Sequence, residues 1–230
     1  MIVLAVDTSG PVCGVAIVKD DQVVYEAAAV NKHTHSASLL PMIDEALRRS
    51  GLAVAGVDLF AAVVGPGSFT GVRIGVSTVK GLAHGTGRPC AGVNALKVLA
   101  AGVSQTGGLI CPIQDARAGQ VYGAAFRSGM PPARVLPDTA AKLETYLEHA
   151  LVAAEDGQTL LFLGDGVQTY RTAIQNALGG RAAFLPAHLS FLRPSAAALL
   201  ARFETPVDYL GLMPLYLRAP QAERARKGIL

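Results

Sequence analysis

Asp7, Thr8 and Ser9 place one carboxyl group and two hydroxyl groups directly after the apolar stretch at residues 2–6. A carboxylate at such a position can orient a magnesium ion or a water molecule beside phosphate groups. The same residue types also open ordinary turns, because their side chains satisfy nearby backbone donors. The three residues on their own leave both interpretations open.

The hairpin predicted around these residues resembles the phosphate-binding hairpin of the actin, sugar kinase and Hsp70 superfamily. Hairpins of that superfamily carry a glycine soon after the aspartate, with lysine or further acidic residues elsewhere to hold metal and phosphate. Here Gly10 is followed by Pro11, and no convincing metal-binding set follows. We therefore interpret Asp7, Thr8 and Ser9 as a vestigial phosphate hairpin and expect weak ATP binding or none.

Residues 65–75 (GPGSFTGVRIG) combine a sharp turn with the start of a helix that Ser68 can cap. Backbone amides at a helix start can bind an anion. The segment lacks the Gly-Lys-Ser/Thr ending of a phosphate loop, and Arg73 is its nearest cation. We favour a structural role, in which the glycines permit a tight corner and Gly71 and Gly75 let another helix approach.

Metal-binding and nucleophilic candidates are sparse. His33 and His35 are only two positions apart, so on a helix they face different directions, and no third ligand is evident. We predict no metal site there. The serines and cysteines lack a context such as Gly-x-Ser-x-Gly. Three cysteines in apolar segments are interpreted as small buried residues: Cys13, Cys90 and Cys111.

Composition favours a folded, soluble protein, since 51% of the 230 residues are hydrophobic and only 16% are charged. No apolar run is long enough to span a membrane, and Asp7 interrupts any secretory signal, so we expect a cytoplasmic protein. The net charge of +3 is too small to establish a nucleic-acid surface. A local basic cluster at the C-terminus nevertheless leaves RNA contact open as the less favoured alternative to a solvated tail: Arg218, Arg224, Arg226 and Lys227.

The apolar periodicity predicts two related α/β halves, residues 1–106 and 107–230. The first half is expected to contain strands at 2–6, 13–19, 22–29, 58–64 and 90–93, with helices at 35–50, 69–84 and 95–103. The second is expected to contain strands at 109–114, 120–126 and 160–163. Its helices are expected from Pro137-Asp138 to about 150, from Gly164-Asp165-Gly166 to about 178, and over 196–203. Residues 214–218 are expected to be extended.

The sequence resembles the TsaB (YeaZ) family over nearly its whole length. Residues 65–75 carry the specific part of this resemblance, together with Asp7-Thr8-Ser9 and residues 35–41 (HSASLLP). Weaker matches are Asp115-Ala116-Arg117 with Val121-Tyr122, Gly164-Asp165-Gly166 and residues 214–218 (PLYLR). The resemblance implies an actin-like, ribonuclease H-like ATPase fold.

The same resemblance implies a non-catalytic scaffold subunit required for threonylcarbamoyl transfer to N6 of adenosine 37 in tRNA. The implied partners are a TsaD-type catalytic paralogue, a TsaE-type ATPase, a second copy of this chain, and tRNA through the complex. ATP or ADP and a metal ion are expected on the catalytic paralogue, with no cofactor on this chain alone. The alternative is an enzyme with its own ATPase or glycoprotease-like peptidase activity, motivated by Asp7-Thr8-Ser9 and Gly164-Asp165-Gly166.

The two N-terminal helices are the predicted partner surface, because apolar or small residues nearly encircle the second one. Two such helices meeting two from a paralogue would form a four-helix interface, as the resemblance also implies. Gly75→Arg or Thr78→Arg is expected to abolish pairing without unfolding the chain. The alternative is that the whole apolar set lies in one core. The predicted interface residues are Leu39, Ile43, Leu47, Gly71, Ile74, Gly75, Thr78 and Leu82.

Overall fold

The N-terminal half begins with three strands and continues with alternating helices and strands. The computed structural model describes residues 1–30, 34–103 and 107–218. The elements of this half are β1 (Ile2–Asp7), β2 (Cys13–Lys19), β3 (Gln22–Ala29), α1 (His35–Arg49), β4 (Leu59–Gly65), α2 (Phe69–Thr86), β5 (Cys90–Asn94) and α3 (Ala95–Ala101). The strand order is β3-β2-β1-β4-β5, with β1 to β3 antiparallel and β4 and β5 parallel to β1. The predicted elements of this half are confirmed, with ends that differ by at most two residues.

The C-terminal half repeats this arrangement. Its elements are β6 (Leu109–Asp115), β7 (Gln120–Arg127), β8 (Ala133–Lys142), α4 (Leu143–Ala153), β9 (Leu160–Leu163), α5 (Gly166–Leu178), β10 (Ala182–Phe184) and α6 (Pro194–Ala201). The strand order is β8-β7-β6-β9-β10, again with an antiparallel meander followed by parallel strands. The prediction of two related α/β halves is confirmed.

The chain forms five layers in the order helices, sheet, helices, sheet, helices, and they enclose three hydrophobic cores. The central core lies between the two sheets, where α3 packs against strands of both halves and α6 packs against the first sheet. The outer face of the first sheet is covered by α1 and α2, and the outer face of the second by α4 and α5. Because the central strands are buried on both faces, they are continuous apolar runs such as β4, LFAAVVG.

The predicted helix start at Pro137-Asp138 is wrong, since these residues lie inside β8. β8 pairs with β7 on one side and forms an edge of the second sheet, where the missing N–H of a proline is tolerated. The helix begins only at Leu143. The three-residue strand β10 was not predicted, because it is too short to show an alternating pattern.

The end of the described chain returns to the first half. α6 packs on the first sheet, and Val207 forms an antiparallel bridge with Cys90 of β5. The backbone N–H of Leu215 donates to the carbonyl oxygen of Val64 at 2.7 Å. Part of the described chain after residue 107 therefore packs on the first sheet, and the division into 1–106 and 107–230 stays a prediction.

Over residues 1–30, 34–103 and 107–218, no helix combines the length and the apolar character needed to cross a membrane. Cys13, Cys90 and Cys111 are free and buried, as predicted.

Candidate functional site

The end of β1 and the segment between β4 and α2 interlock. The N–H of Ser68 donates to the carbonyl oxygen of Ser9 at 2.7 Å, and the hydroxyl of Thr8 donates to the carbonyl oxygen of Gly71 at 2.7 Å. A Cβ atom at Gly71 would lie 2.0 Å from the carbonyl oxygen of Thr8, and one at Gly75 would lie 2.7 Å from its Oγ1. The glycines thus allow α2 to approach the end of its own β1.

Asp7 ends β1 with only 1% of its surface exposed. Its Oδ1 accepts hydrogen bonds from the N–H and the hydroxyl of Ser9, at 2.8 and 2.7 Å. Burial raises the pKa of Asp7 to about 6, although the hydrogen bonds from Ser9 act in the opposite direction. A carboxyl group with this pKa changes its charge just below neutral pH.

A cavity of about 380 Å³ opens beside Asp7, between the two halves. Its polar wall contains side chains from the ends of three strands, β1, β6 and β9: Asp7, Ser9, Gln114 and Asp165. Ser190 adds a hydroxyl group from the segment before α6. The remaining walls are largely apolar and include Val12, Val30, Leu99, Phe191 and Leu192.

Three polar atoms around this cavity are buried without a hydrogen-bond partner: Gln114 Oε1, Asp165 Oδ1 and Ser190 Oγ. Gln114 is only 5% exposed. Burial raises the pKa of Asp165 to about 6; a backbone hydrogen bond from Asp115 acts in the opposite direction, and the charge of Asp115 adds to the rise. Buried polar atoms are paired in most folded proteins, so three unpaired ones around one cavity suggest a ligand.

The sequence prediction covers part of this site. Asp7 and Ser9 line the cavity, whereas Thr8 is buried against Gly71 and does not. Gln114 and Ser190 were missed. A signal existed for Gln114 and Asp165, because ligands of open α/β sheets bind at the carboxyl ends of parallel strands and β6 and β9 end there.

The cavity is acidic over its described lining. Its polar wall contains two carboxyl groups, and no lysine or arginine is among the described residues that line it. No group of three potential metal ligands occurs in the described ranges either. His33 lies outside them, and His35 forms a hydrogen bond through Nε2 to the carbonyl oxygen of Gly10 at 2.9 Å.

Comparison with known proteins identifies the family. The protein TsaB of Bacillus subtilis, named for tRNA threonylcarbamoyladenosine biosynthesis, is 35% identical over 97% of this chain and 96% of its own length. The chain belongs to the TsaB (YeaZ) family. The Escherichia coli TsaB is 36% identical over 55% of each chain. A family model described as TsaD, tRNA N6-adenosine threonylcarbamoyltransferase, matches residues 27–225.

Solved structures agree with this membership of the TsaB family. YeaZ from Pseudomonas aeruginosa superposes with a TM-score of 0.78 at 27% identity, over 94% of this chain and 99% of that one. The ROK hexokinase from Thermus thermophilus reaches a TM-score of 0.50 at 14% identity, over 88% and 99%, which bears on the fold alone. The fold is the actin-like ATPase fold, as predicted.

Part of the partner surface predicted for this TsaB-family chain is buried within the chain itself. Leu39 and Ile43 belong to the core under α1, and Gly71 and Gly75 face Thr8. The expectation that Gly75 points outward is therefore wrong, because the helix phase places Gly71, Gly75, Val79 and Ala83 on the sheet side.

The outward side of α2 is a different row of residues at every fourth position. These exposed residues are Arg73, Ser77, Gly81 and Gly85. Beside them runs a half-buried row formed by Ile74, Thr78 and Leu82, which were in the predicted interface. On α1, Leu47 is half-buried and Leu40 is 58% exposed.

Proposed function

We propose that this chain is a non-catalytic scaffold subunit of tRNA threonylcarbamoyladenosine biosynthesis that binds a TsaD-type catalytic paralogue. The names of the related TsaB proteins support the pathway. The match of residues 27–225 to the TsaD model supports a paralogue of the same fold as partner. Two chains of one fold can pair equivalent surfaces across a pseudo-twofold axis, as two copies of one chain do across a true one.

The observation that carries the proposal is the outward face of α1 and α2. The exposed row on α2 contains Ser77, Gly81 and Gly85, whose small size would let a partner helix approach closely. Half-buried Ile74 and Leu82 flank this row, and Leu40 leaves apolar surface uncovered on α1. Pairing two such helices with two from the partner would cover this apolar surface.

Nucleotide and metal chemistry belongs to the partner in this proposal. The cavity of this chain presents Asp7 and Asp165 without a lysine or arginine among its described lining residues, which disfavours a polyphosphate. ATP or ADP and a metal ion would bind the TsaD-type paralogue. Contact with a TsaE-type ATPase and with tRNA would occur through the assembled complex, and a homodimer would use the same helices.

The first experiment reconstitutes tRNA modification from purified partners, with and without this chain. The second tests whether this chain co-elutes with the TsaD-type paralogue in size-exclusion chromatography. Gly81→Arg is the informative variant, because nothing lies within 4 Å of a Cβ atom at Gly81. We expect it to fold normally, to lose co-elution and to lose support of modification. Thr145→Arg, on an exposed position of α4, is the matched control and should behave as wild type.

Two outcomes would contradict the proposal. Gly81→Arg that still co-elutes with unchanged affinity would exclude this face of α2 as the interface. Hydrolysis of ATP or of a peptide by this chain alone, abolished by Asp7→Ala, would favour the alternative of an independent enzyme.

A further inference from the structure

The polar atoms without a partner around the cavity between the two halves are all oxygens. Gln114 Oε1 can only accept hydrogen bonds, and Asp165 Oδ1 accepts when the carboxyl group is ionised. Both are buried without a partner, and the hydroxyl oxygen of Ser190, also unpaired, can accept as well. The amides of Gln114 and Gln168 and the hydroxyl groups of Ser9 and Ser190 can also donate, but the unpaired atoms are acceptors. A ligand with several hydrogen-bond donors therefore fits this wall.

The negative charge of the wall also favours a ligand with a positively charged donor group. Asp7 and Asp165 both reach the cavity, and no lysine or arginine is among its described lining residues. Titratable neighbours among the described residues include His35, which acts on Asp7, and Asp115, which acts on Asp165. Ionised carboxylates at low dielectric attract a cation strongly, and an anionic ligand would be repelled.

The opposite wall is apolar. Leu99 on α3, Phe191 and Leu192 before α6, and Val12 and Val30 next to the first sheet surround the rest of the space. A volume of about 380 Å³ lies within the range of pockets that hold small molecules. The ligand should thus join a charged donor group to an apolar body.

We infer that this cavity is a binding site for a small organic ammonium ion, with its charged donor group at Asp7, Gln114 and Asp165 and its apolar body against Leu99 and Phe191. This site is independent of the partner surface on α1 and α2, and its failure would leave the proposed scaffold function untouched. An ammonium group supplies three N–H donors and one positive charge, which matches the amide oxygen of Gln114 and the carboxylates of Asp7 and Asp165.

The test uses the full chain and two probes of nearly the same shape, phenethylammonium and the neutral 2-phenylethanol. Isothermal titration calorimetry at pH 7.5 should show binding of the cation at least tenfold tighter than of the alcohol. Asp165→Asn and Gln114→Leu should each weaken the cation at least fivefold, whereas Gln114→Glu should strengthen it. Asp156→Asn removes an exposed carboxylate outside the cavity and should leave binding unchanged.

Several results would overturn the inference. These are no binding of phenethylammonium at millimolar concentration, equal affinity for the two probes, or equal losses in Asp165→Asn and Asp156→Asn. Magnesium–ATP that binds more tightly than phenethylammonium and displaces it would assign the cavity to nucleotides instead. Melting temperatures of all variants separate a lost site from a lost fold, and the nearly isosteric Asp165→Asn keeps the test valid if Gln114→Leu fails to fold.

Discussion

The hydroxyl group of Thr8 donates a hydrogen bond to the carbonyl oxygen of Gly71 at 2.7 Å, across 63 positions of sequence. The carbonyl oxygen of Thr8 in turn occupies the space that a side chain at Gly71 would need. Two sequence motifs that both suggested phosphate binding therefore contact each other directly. Their shared role in the structure is to fix the start of α2 against the end of β1.

Gly71→Ala should destabilise the fold, because its Cβ atom would lie 2.0 Å from a backbone oxygen that cannot rotate away. We expect a loss of about 3 kcal/mol in the free energy of unfolding. Gly81→Ala lies on the same helix with open space around it and should instead gain about 0.5–1 kcal/mol. Urea unfolding of both variants checks this, and similar stabilities would contradict the packing described for α2.

Thr8→Val should lower the free energy of unfolding by about 1 kcal/mol, because it removes a buried hydrogen bond and keeps the shape of the side chain. Thr8→Ser retains the hydroxyl group and should keep the bond to Gly71, losing only the packing of one methyl group. Thermal unfolding monitored by circular dichroism compares the two. A Thr8→Val variant as stable as wild type would argue that the hydroxyl group has no structural role.

Asp7→Asn should stabilise the chain at pH 7.5 and have little effect near pH 4. Burial raises the pKa of Asp7 from 3.8 to about 6, so between these values the folded state binds more protons than the unfolded state. The free energy of unfolding therefore falls as pH rises through this window, by about 3 kcal/mol for a shift of this size. Asparagine does not ionise, so it avoids this loss of unfolding free energy, and its side-chain oxygen can still accept the hydrogen bonds from Ser9.

The measurement is the difference in unfolding free energy between Asp7→Asn and wild type at several pH values from 4 to 8. A difference that does not change with pH would contradict a raised pKa at Asp7. Asp156→Asn provides the control for removal of one negative charge, since this residue is exposed.

Glu26→Gln should show the opposite pH dependence. Glu26 accepts hydrogen bonds from Arg193 and from the N–H and hydroxyl of Ser195, which ties β3 to the start of α6. Burial alone would raise the pKa of Glu26, but these hydrogen bonds outweigh it and the pKa lies below 4.5. The substitution should cost about 2 kcal/mol at pH 7.

Because a lowered pKa stabilises the folded state only above the unfolded value, the cost of Glu26→Gln should shrink as pH falls below 4.5. Urea midpoints at pH 3.5 and 7 test this, with Glu148→Gln on an exposed position of α4 as control. Equal costs at both pH values would mean that the ion pair with Arg193 contributes nothing.

The sequence by itself determined the elements whose signals are local. The alternating and continuous apolar runs predicted β1 to β3, and Ser68 was predicted to cap α2, where its hydroxyl accepts from the N–H of Gly71. Such patterns depend on residues within one or two turns, so they survive in any tertiary context. The motif at residues 65–75 carries the specific part of the resemblance that predicts the family.

Only the tertiary structure decided which face each residue presents. Pro137-Asp138 has the local signature of a helix start, but pairing with β7 makes it part of a strand. The local sequence leaves the orientation of Gly75 open, and the tertiary structure places Thr8 against it. Gln114 and Asp165 meet Asp7 in one cavity because three strand ends converge there. Their positions at strand ends indicate ligand contact, but which strand ends converge depends on how the two sheets pack.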